Sequence, residues 1–505
     1  MASGKGIDLV LIHPGNRSKI YQSLGETLSG IEPPVWATII GTYVRRRGHS
    51  VAIVDPEAEN LSAEETAQRV ADLDPVLAVV VVYGHQPSAS TQNMTIAGEI
   101  CAAIRQAAPG LKTAMVGGHV AAVPQRSLED EDVDFVSNGE GPLTVLELLE
   151  ALKAGETDLS KVRGLLYREN GGIVTTRSAP NLQALEEEVP ELAWDLLSMS
   201  EYRAHNWHCF GDLKRQPYAA IYTTLGCPYH CTFCCIQAPF KNGEQVLGFT
   251  QNVNTYRFWS PESVVNQIGT LVEEHGVRNL RILDEMFVLN ARHVNGICDL
   301  IIERGYDLNM WAYARIDTIR SQETVDKMKA AGFNWLCFGI ESASERVRED
   351  VDKSISQEKI YEVVDQVRSA GINVIANFIF GLPEDDLEAM QMTLDMALDL
   401  NAEFVNFYSA MAYPGSQLYD LALQKGWPLP EKWSGFSPHS VDTLPLPTNY
   451  LSGSEVLAFR DEAWQKYFES PDYLAMVERK FGTLTVEHIK DMASHTLVRE
   501  HLPAS

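Results

Sequence analysis

The chain has 505 residues, too many for one compact core, and 45% of them are hydrophobic and 22% charged, as in ordinary globular proteins. The formal net charge of −27 argues against a nucleic-acid groove, because phosphate binding requires clustered Lys and Arg. No apolar run is long enough to span a membrane and the N-terminus does not follow the pattern of a signal peptide, so we expect a soluble, cytoplasmic protein.

Residues 1–155 alternate short apolar runs with helical patterns. The strand candidates are IDLVLIH (7–13), VAIVD (51–55), LAVVVVY (77–83), TAMVGG (113–118) and DFVSNGEG (134–141). Helices are expected at 35–47, 63–72, up to about 107 and 142–154. This alternation predicts a doubly wound, Rossmann-like parallel sheet with its ligand-binding loops along one edge. No G-x-G-x-x-G follows the first strand and there is no Walker A sequence, so a dinucleotide or ATP site is poorly supported.

The rest of the chain divides into three parts. Residues 156–215 are predicted to be a connector with a small strand pair around GLLYREN and IVTTR. Residues 216–427 contain about six further β/α units, which fit a full or partial (β/α) barrel. From residue 428 the chain is first Pro-rich and then helical to the end, and those helices are expected to cap the barrel mouth or to pack beside it.

The segment TTLGCPYHCTFCC holds Cys227, Cys231 and Cys234 in a C-x3-C-x2-C pattern directly after a predicted strand. Three thiolates on one tight loop can ligate three irons of a [4Fe–4S] cluster and leave the fourth iron open. Zinc is the alternative, but it normally takes four protein ligands, and His230 is awkwardly placed to be the fourth. Cys235 is expected to be a packing residue beyond the loop.

The cysteine pattern at the end of a first barrel strand, with Phe233 before the last cysteine, resembles the radical S-adenosylmethionine (SAM) enzymes. In that family the open iron chelates SAM, and reductive cleavage of SAM gives a 5′-deoxyadenosyl radical. The resemblance extends downstream to LDEMF (283–287), ARID (314–317), GIES (339–342) and NFIFGLP (377–383). It implies SAM contacts from Asp284, Glu285, Arg315, Glu341, Ser342 and Asn377.

The N-terminal part resembles the cobalamin-binding (B12-binding) subgroup of these enzymes, through residues 33–55, VGGHVAAVPQ (116–125) and DFVSNGEG. The resemblance implies that strand-end loops contact the corrinoid, with Gly84, Gln86, Ser88, Ser90, Gly117, Gly118, Gly139 and Glu140 as the candidate residues. The chain lacks the D-x-H-x-x-G sequence that supplies a histidine to cobalt in other cobalamin domains. His85 and His119 lie on suitable loops, but the sequence identifies neither as a cobalt ligand.

The resemblance implies a cobalamin-dependent radical methyltransferase that acts on an unactivated carbon or phosphorus through methylcobalamin. Two alternatives stay open at this stage. One is an enzyme with the same cofactors and no net methyl transfer, such as a radical cyclase, oxidase or rearrangement catalyst. The other is a non-catalytic corrinoid- or metal-binding protein. A reducing partner such as flavodoxin or ferredoxin is expected. The catalytic residues on the substrate side and the substrate itself (small molecule, lipid, tetrapyrrole or peptide) are not determined by the sequence.

Overall fold

A seven-stranded sheet forms the N-terminal half of the protein, with strand order β2-β1-β3-β4-β5-β6-β7. The computed structural model describes residues 6–15, 22, 29–211 and 214–502. The strands are β1 Leu9–Ile12, β2 Val51–Val54, β3 Leu77–Val81, β4 Lys112–Val116, β5 Phe135–Ser137, β6 Leu165–Glu169 and β7 Gly172–Thr175. The first five are parallel, which confirms the predicted doubly wound arrangement. The predicted loop before Pro34 falls partly on residues 16–21 and 23–28, outside the described ranges.

Helices cover both faces of this sheet. They are α1 Val35–Arg45, α2 Pro56–Glu59, α3 Ala63–Leu73, α4 Ala89–Ala107, α5 Gly118–Ala122, α6 Pro124–Asp130 and α7 Pro142–Ala154. Successive side chains of a strand point to opposite faces, so Leu9 and Leu11 pack with α1 and α7, whereas Val10 and Ile12 pack with α3 and α4. The fully buried strands therefore read as continuous apolar runs, which is why they could be located from the sequence.

The strand pair that the sequence assigned to a connector extends the N-terminal sheet. Strand β6 runs antiparallel to β5, and β7 pairs antiparallel with β6. The sheet is therefore mixed, with an antiparallel edge on a parallel core. Sequence periodicity identified the two strands, but it could not determine their partner, because β5 contributes only three residues to the pairing.

A second sheet of six parallel strands has the order β15-β14-β13-β12-β11-β8. Its strands are β8 Tyr218–Ile221, β11 Asn279–Ile282, β12 Asn309–Ala314, β13 Phe333–Glu341, β14 Asn373–Phe380 and β15 Phe404–Ser409. The short strands β9 Thr224–Leu225 and β10 Arg257–Phe258 pair with each other beside it. Strands β8 and β15 do not pair in the described ranges, so the barrel is partial rather than closed.

Helices connect these strands and follow them to the C-terminus. They are α8 Leu185–Glu188, α9 Lys241–Val246, α10 Pro261–His275, α11 Ala291–Arg304, α12 Gln322–Ala330, α13 Glu345–Asp350, α14 Gln357–Ser369, α15 Leu387–Leu400, α16 Gln417–Lys425, α17 Gly453–Phe468, α18 Pro471–Phe481 and α19 Thr483–Ser494. Helix α10 illustrates how the sequence sets the ends of a helix. The Ser260 side chain caps its start by accepting from the Ser263 N–H, and Gly276 ends it in the left-handed conformation, at φ +65°. None of the described helices is both long and apolar enough to cross a membrane.

The C-terminal helices pack against the edge strand β15 rather than simply over the barrel mouth. The Arg460 guanidinium donates to the Phe407 carbonyl at 2.8 Å, and the Tyr467 hydroxyl donates to the Ala402 carbonyl at 2.6 Å. These contacts cover an edge that would otherwise expose unpaired backbone groups. A preceding segment reaches the other domain, where the Trp433 indole donates to Glu131 at 3.2 Å.

Candidate active site between the two sheets

The three cysteines of the C-x3-C-x2-C loop line one cavity of about 250 Å³. The loop begins at Gly226, where φ is +92° and an added Cβ would lie 2.3 Å from the Thr255 carbonyl oxygen, so only glycine fits. Cys227 is buried, and Cys231 and Cys234 are partly exposed to the cavity. Phe233 and Cys235 also line this cavity, so Cys235 is a neighbour of the three cysteines and not remote from them.

Contacts from distant segments fix the shape of this loop. Gln237 donates to the Cys227 carbonyl, and Asn254 donates to the Tyr229 carbonyl at 2.7 Å. The Leu418 N–H donates to the Thr232 carbonyl at 2.9 Å. These contacts hold the backbone of the cysteine loop.

This arrangement fits a [4Fe–4S] cluster better than a single zinc ion. Among the described residues, no three His, Cys, Asp or Glu side chains converge as the ligands of one metal ion would. A cluster does not require such convergence, since each thiolate binds a different iron. Burial raises the pKa of the Cys227 thiol to about 12, and the positive charge of a bound iron would favour its thiolate.

Of the two adjacent acids after β11, only Glu285 faces the cysteine cavity. Asp284 is buried and turned the other way, where it accepts from the Thr223 N–H at 2.7 Å and the Thr224 N–H at 3.2 Å. Asp284 therefore holds the chain just before the cysteine loop, and its carboxylate is not available to SAM. No described residue donates a hydrogen bond to Glu285, and burial raises its pKa to about 7. A carboxylate without a partner in this cavity fits a cationic amino group.

Arg315 lies beside the cysteine loop. Its Nη1 is 3.4 Å from Cys231 Sγ, its guanidinium stacks on Tyr229 at 3.9 Å from the ring centroid, and it binds both carboxylate oxygens of Asp317. The side chain lines the cavity, and its hydrogen bonds to Asp317 fix its direction. It places positive charge next to Cys231, a predicted cluster ligand.

Glu341 lies where β13 bulges, at φ +69°, and its buried carboxylate pairs with Lys353. Both side chains line the cavity. Lys353 was not predicted from the sequence, because it follows a short helix and a turn and belongs to no recognisable motif. Ser342, in contrast, faces away: its hydroxyl contacts Thr393 Oγ1 at 3.1 Å and accepts from the Ser344 N–H at 3.1 Å. Ser342 therefore supports the bulge and does not line the cavity.

Asn377 extends the same wall from β14. Its amide contacts Cys337 Sγ at 3.2 Å, and its Oδ1 accepts from Asn406 at 2.9 Å. Asn377 lines the first cavity, and its contact with SAM stays a prediction. Asn406 lines the second cavity.

The loop after β3 brings Gln86 and Ser88 of the N-terminal domain to the cysteine cavity. Gly84, Ser90 and Gly118 line a smaller cavity next to it. Ser90 is already engaged, because its hydroxyl donates to the Val82 carbonyl and accepts from the His119 N–H at 2.9 Å.

The remaining candidates of this domain, two glycines and one glutamate, contribute to packing between structural elements. An added Cβ at Gly117 would lie 2.2 Å from the Val82 carbonyl oxygen, so this glycine allows two strand ends to pack closely. Gly139 approaches the Pro239 carbonyl of the other domain. Glu140 is buried in an ion pair with Arg257 at 2.9 Å and accepts from the Leu182 N–H at 2.7 Å. Gly117, Gly139 and Glu140 hold the structure together and line neither large cavity.

A second cavity of about 310 Å³ adjoins the first, and Gln86, Ser88 and Tyr313 line both. Gln92 and Asn93 of α4 also line it, so it presents side-chain amides and hydroxyls from the N-terminal domain. Polar groups of this kind suit the amide-rich rim of a corrinoid. The cavity lies at the carboxyl ends of β1 and β3, where doubly wound sheets bind ligands.

A buried ion pair crosses from one domain to the other at this second cavity. Arg281 of β11 donates to both carboxylate oxygens of Glu32, at 2.7 and 2.8 Å, and lies over the Trp311 ring. His85 and His205 contact the same carboxylate at 3.3 and 3.2 Å. Sequence reasoning missed this group, because its members come from four separate segments. Burial lowers the pKa of His85 to about 4, so its ring is neutral at pH 7.

Two family descriptions match the chain. Residues 21–149 match the B12 binding domain, and residues 221–397 match the Radical SAM superfamily. The chain is 26% identical over 471 residues to the uncharacterized methyltransferase PH0819 of Pyrococcus horikoshii, covering 93% of this chain and 94% of the relative. It is 24% identical over 418 residues to the anaerobic magnesium-protoporphyrin IX monomethyl ester cyclase of Rubrivivax gelatinosus, covering 81% and 69%.

A solved structure supports the same arrangement of domains. The radical S-adenosylmethionine methyltransferase TsrM from Kitasatospora setae, with cobalamin and a [4Fe–4S] cluster bound, matches 97% of this chain and 99% of its own with a TM-score of 0.69. Sequence identity is 16%, so this likeness describes the fold alone.

Proposed function

Because the chain belongs to the radical SAM superfamily and carries a B12 binding domain, we propose that it is a cobalamin-dependent methyltransferase. The family assigns a [4Fe–4S] cluster, SAM and cobalamin as its cofactors. The proposed reaction places a methyl group on an unactivated carbon or phosphorus. The relative from Pyrococcus horikoshii, whose printed name is a methyltransferase, aligns over almost the whole of both chains and supports this proposal.

One observation carries the proposal. The cavity that contains Cys227, Cys231 and Cys234 is lined on its other side by Gln86 and Ser88 of the B12 binding domain. When bound, the cluster supplies reductive cleavage of SAM to a 5′-deoxyadenosyl radical, and cobalamin supplies the methyl group. Cofactors bound by these residues would share one chamber, where a substrate could reach both.

The residues around the cysteines have complementary roles toward SAM. The Glu285 carboxylate would accept from the methionine amino group, and Arg315 would attract the methionine carboxylate beside Cys231. Asn377 and the Glu341–Lys353 pair would hydrogen-bond the more distant part of the nucleoside. These groups fix the direction in which the sulfonium is presented to the cluster.

Three tyrosines line the proposed chamber. Tyr313 and Tyr408 line both cavities, and Tyr413 joins them beside Gln92, whose amide contacts its hydroxyl at 3.3 Å. Excluding water from this space protects a reactive radical from quenching and strengthens the electrostatic contacts that orient the substrate. The substrate is therefore proposed to enter between the two domains.

A second function is supported by the cyclase of Rubrivivax gelatinosus, which is 24% identical over 81% of this chain. In that case the same cofactors would drive a cyclisation, oxidation or rearrangement with no net methyl transfer. Radical SAM enzymes need a reductant, and we propose a flavodoxin or ferredoxin in the cytoplasm as the electron donor.

Anaerobic turnover distinguishes these functions. The protein with all cofactors would be incubated with reductant, SAM and a panel of candidate substrates, and S-adenosylhomocysteine and 5′-deoxyadenosine would be quantified. Equal amounts of the two products support methyl transfer. Substrate-dependent 5′-deoxyadenosine without S-adenosylhomocysteine supports the second function instead, and the absence of both products contradicts an enzymatic role.

A further inference from the structure

The loops after β1 and β3 separate at the centre of the N-terminal sheet, and each places a histidine there. Strands β1 and β3 are paired neighbours, while β2 lies on the other side of β1. His13 follows β1 and His85 follows β3, with ring centroids 5.7 Å apart. This is the crevice where an open α/β sheet binds its ligand.

The backbone of His85 is held by the second domain, and its ring is held by a carboxylate of the N-terminal domain. The His85 carbonyl accepts from Arg281 Nη2 at 2.7 Å, and His85 Nδ1 lies 3.3 Å from Glu32 Oε2. Glu32 is itself fixed by two hydrogen bonds from Arg281. A carboxylate beside Nδ1 favours the tautomer with its proton on Nδ1, which leaves the lone pair on Nε2.

The ring of His85 is partly exposed and borders the second cavity. The ring lines the cavity of about 310 Å³, the side chain is 29% exposed, and no described residue forms a hydrogen bond with Nε2. The other histidines of this region differ. His205 uses both ring nitrogens, on the Gly30 N–H and on Glu32, and the side chain of His13 is only 5% exposed. The ring of His119 is buried against Trp433.

We propose that His85 is the protein ligand of cobalt in the bound corrinoid, through Nε2, with Glu32 as the carboxylate that orients its ring. A metal-bound histidine commonly presents its other nitrogen to a carboxylate, which sets the tautomer and raises the basicity of the ligand. The missing D-x-H-x-x-G sequence is then replaced by a carboxylate from a distant segment. The inference rests on cobalamin binding in the proposed function and does not depend on methyl transfer.

The experiment is electron paramagnetic resonance of the protein with cob(II)alamin bound, without SAM or substrate. The unpaired electron of low-spin cobalt(II) couples to an axial nitrogen, and ¹⁴N splits each cobalt line into a triplet. Protein made with ¹⁵N-histidine should give doublets instead. Triplets that survive labelling would show coordination by the dimethylbenzimidazole of cobalamin, and the absence of nitrogen splitting would show no nitrogen ligand. Either result overturns the inference.

Substitutions of single histidines identify which one supplies the nitrogen that splits the cobalt lines. His85→Ala and His85→Gln should each retain the corrinoid, as judged by its absorption bands, and lose the label-dependent splitting, whereas His13→Ala should keep it. Splitting that persists in both His85 variants, or that is lost only in His13→Ala, contradicts the assignment. Failure of the unmodified protein to bind corrinoid would overturn the cobalamin assignment itself, which the absorption spectrum reports separately from ligation.

Discussion

Glu285 should destabilise the protein at neutral pH when no SAM is bound. It faces the cysteine cavity, no described residue donates a hydrogen bond to it, and burial raises its pKa from 4.5 to about 7. At about 1.4 kcal/mol for each pKa unit, this rise corresponds to roughly 3 kcal/mol above pH 7. Cavity water screens part of the charge, so we expect about 1–3 kcal/mol. A residue that lowers the stability of the folded protein in this way commonly serves ligand binding.

The substitution Glu285→Gln should therefore stabilise the cluster-free protein at pH 8, by roughly 2–8 °C in Tm for a cooperative unit of 150–250 residues. An acid whose pKa is raised on folding favours the folded state at low pH and loses that contribution as the pH rises toward 7. The gain should shrink to less than half at pH 5.5. The same substitution should weaken SAM binding to the reconstituted protein by about 10- to 100-fold, because a charge-assisted hydrogen bond is lost.

The assay is thermal unfolding of both proteins at pH 8 and pH 5.5, with SAM binding measured by calorimetry. Glu274→Gln is the matched control, because Glu274 is exposed on α10 and the change in net charge is the same. If Glu285→Gln is less stable than the unmodified protein at pH 8, or if its gain does not depend on pH, the assigned environment of Glu285 is wrong. If Glu285→Gln binds SAM with unchanged affinity, the proposed role of Glu285 in SAM binding is wrong.

Substitutions at the cysteine loop, at the Glu341–Lys353 pair and at Ser342 test other parts of the site. Cys231→Ala should abolish the iron–sulfur absorption of the reconstituted protein, whereas Cys235→Ala should retain it. Lys353→Met should destabilise the protein by about 3–5 kcal/mol in denaturant unfolding, since it leaves Glu341 buried without its partner, and adding Glu341→Gln should recover most of the loss. Ser342→Ala should cost about 1–2 kcal/mol of stability and leave the SAM dissociation constant within about twofold, because its hydroxyl serves the Ser344 N–H. A large loss of SAM affinity in that variant would show that the serine contacts the ligand.

Features determined by residues that are close together in the sequence could be predicted best. The cysteine loop could be located because its three cysteines lie within eight positions. The buried strands could be located because short, β-branched apolar runs such as LAVVVVY favour a strand over a helix. Adjacent acids were harder to separate. Strand β11 ends at Ile282, before Asp284 and Glu285. The alternation of side chains along a strand therefore could not predict which acid faces the cavity, and only the structure shows that it is Glu285, whereas Asp284 faces Thr223.

Contacts between distant segments could not be predicted from the sequence. The ion pair between Glu32 and Arg281 joins residues from two domains, and Glu140 was selected as a ligand contact although it forms a buried pair with Arg257. Nothing in the local pattern distinguishes an acid that binds a ligand from one that holds two domains together. Only the packing of the two sheets supplies that information.

The central claim is tested most directly by following the methyl group of SAM without a substrate. The protein with cobalamin, reduced to the cob(I)alamin state, would be mixed with SAM that carries a deuterated methyl group, and the corrinoid would be analysed by mass spectrometry. A methyltransferase of the proposed kind should yield protein-bound methylcobalamin with the deuterated label and an equal amount of S-adenosylhomocysteine. Protein that holds corrinoid and cluster, binds SAM and still transfers no label would contradict the account.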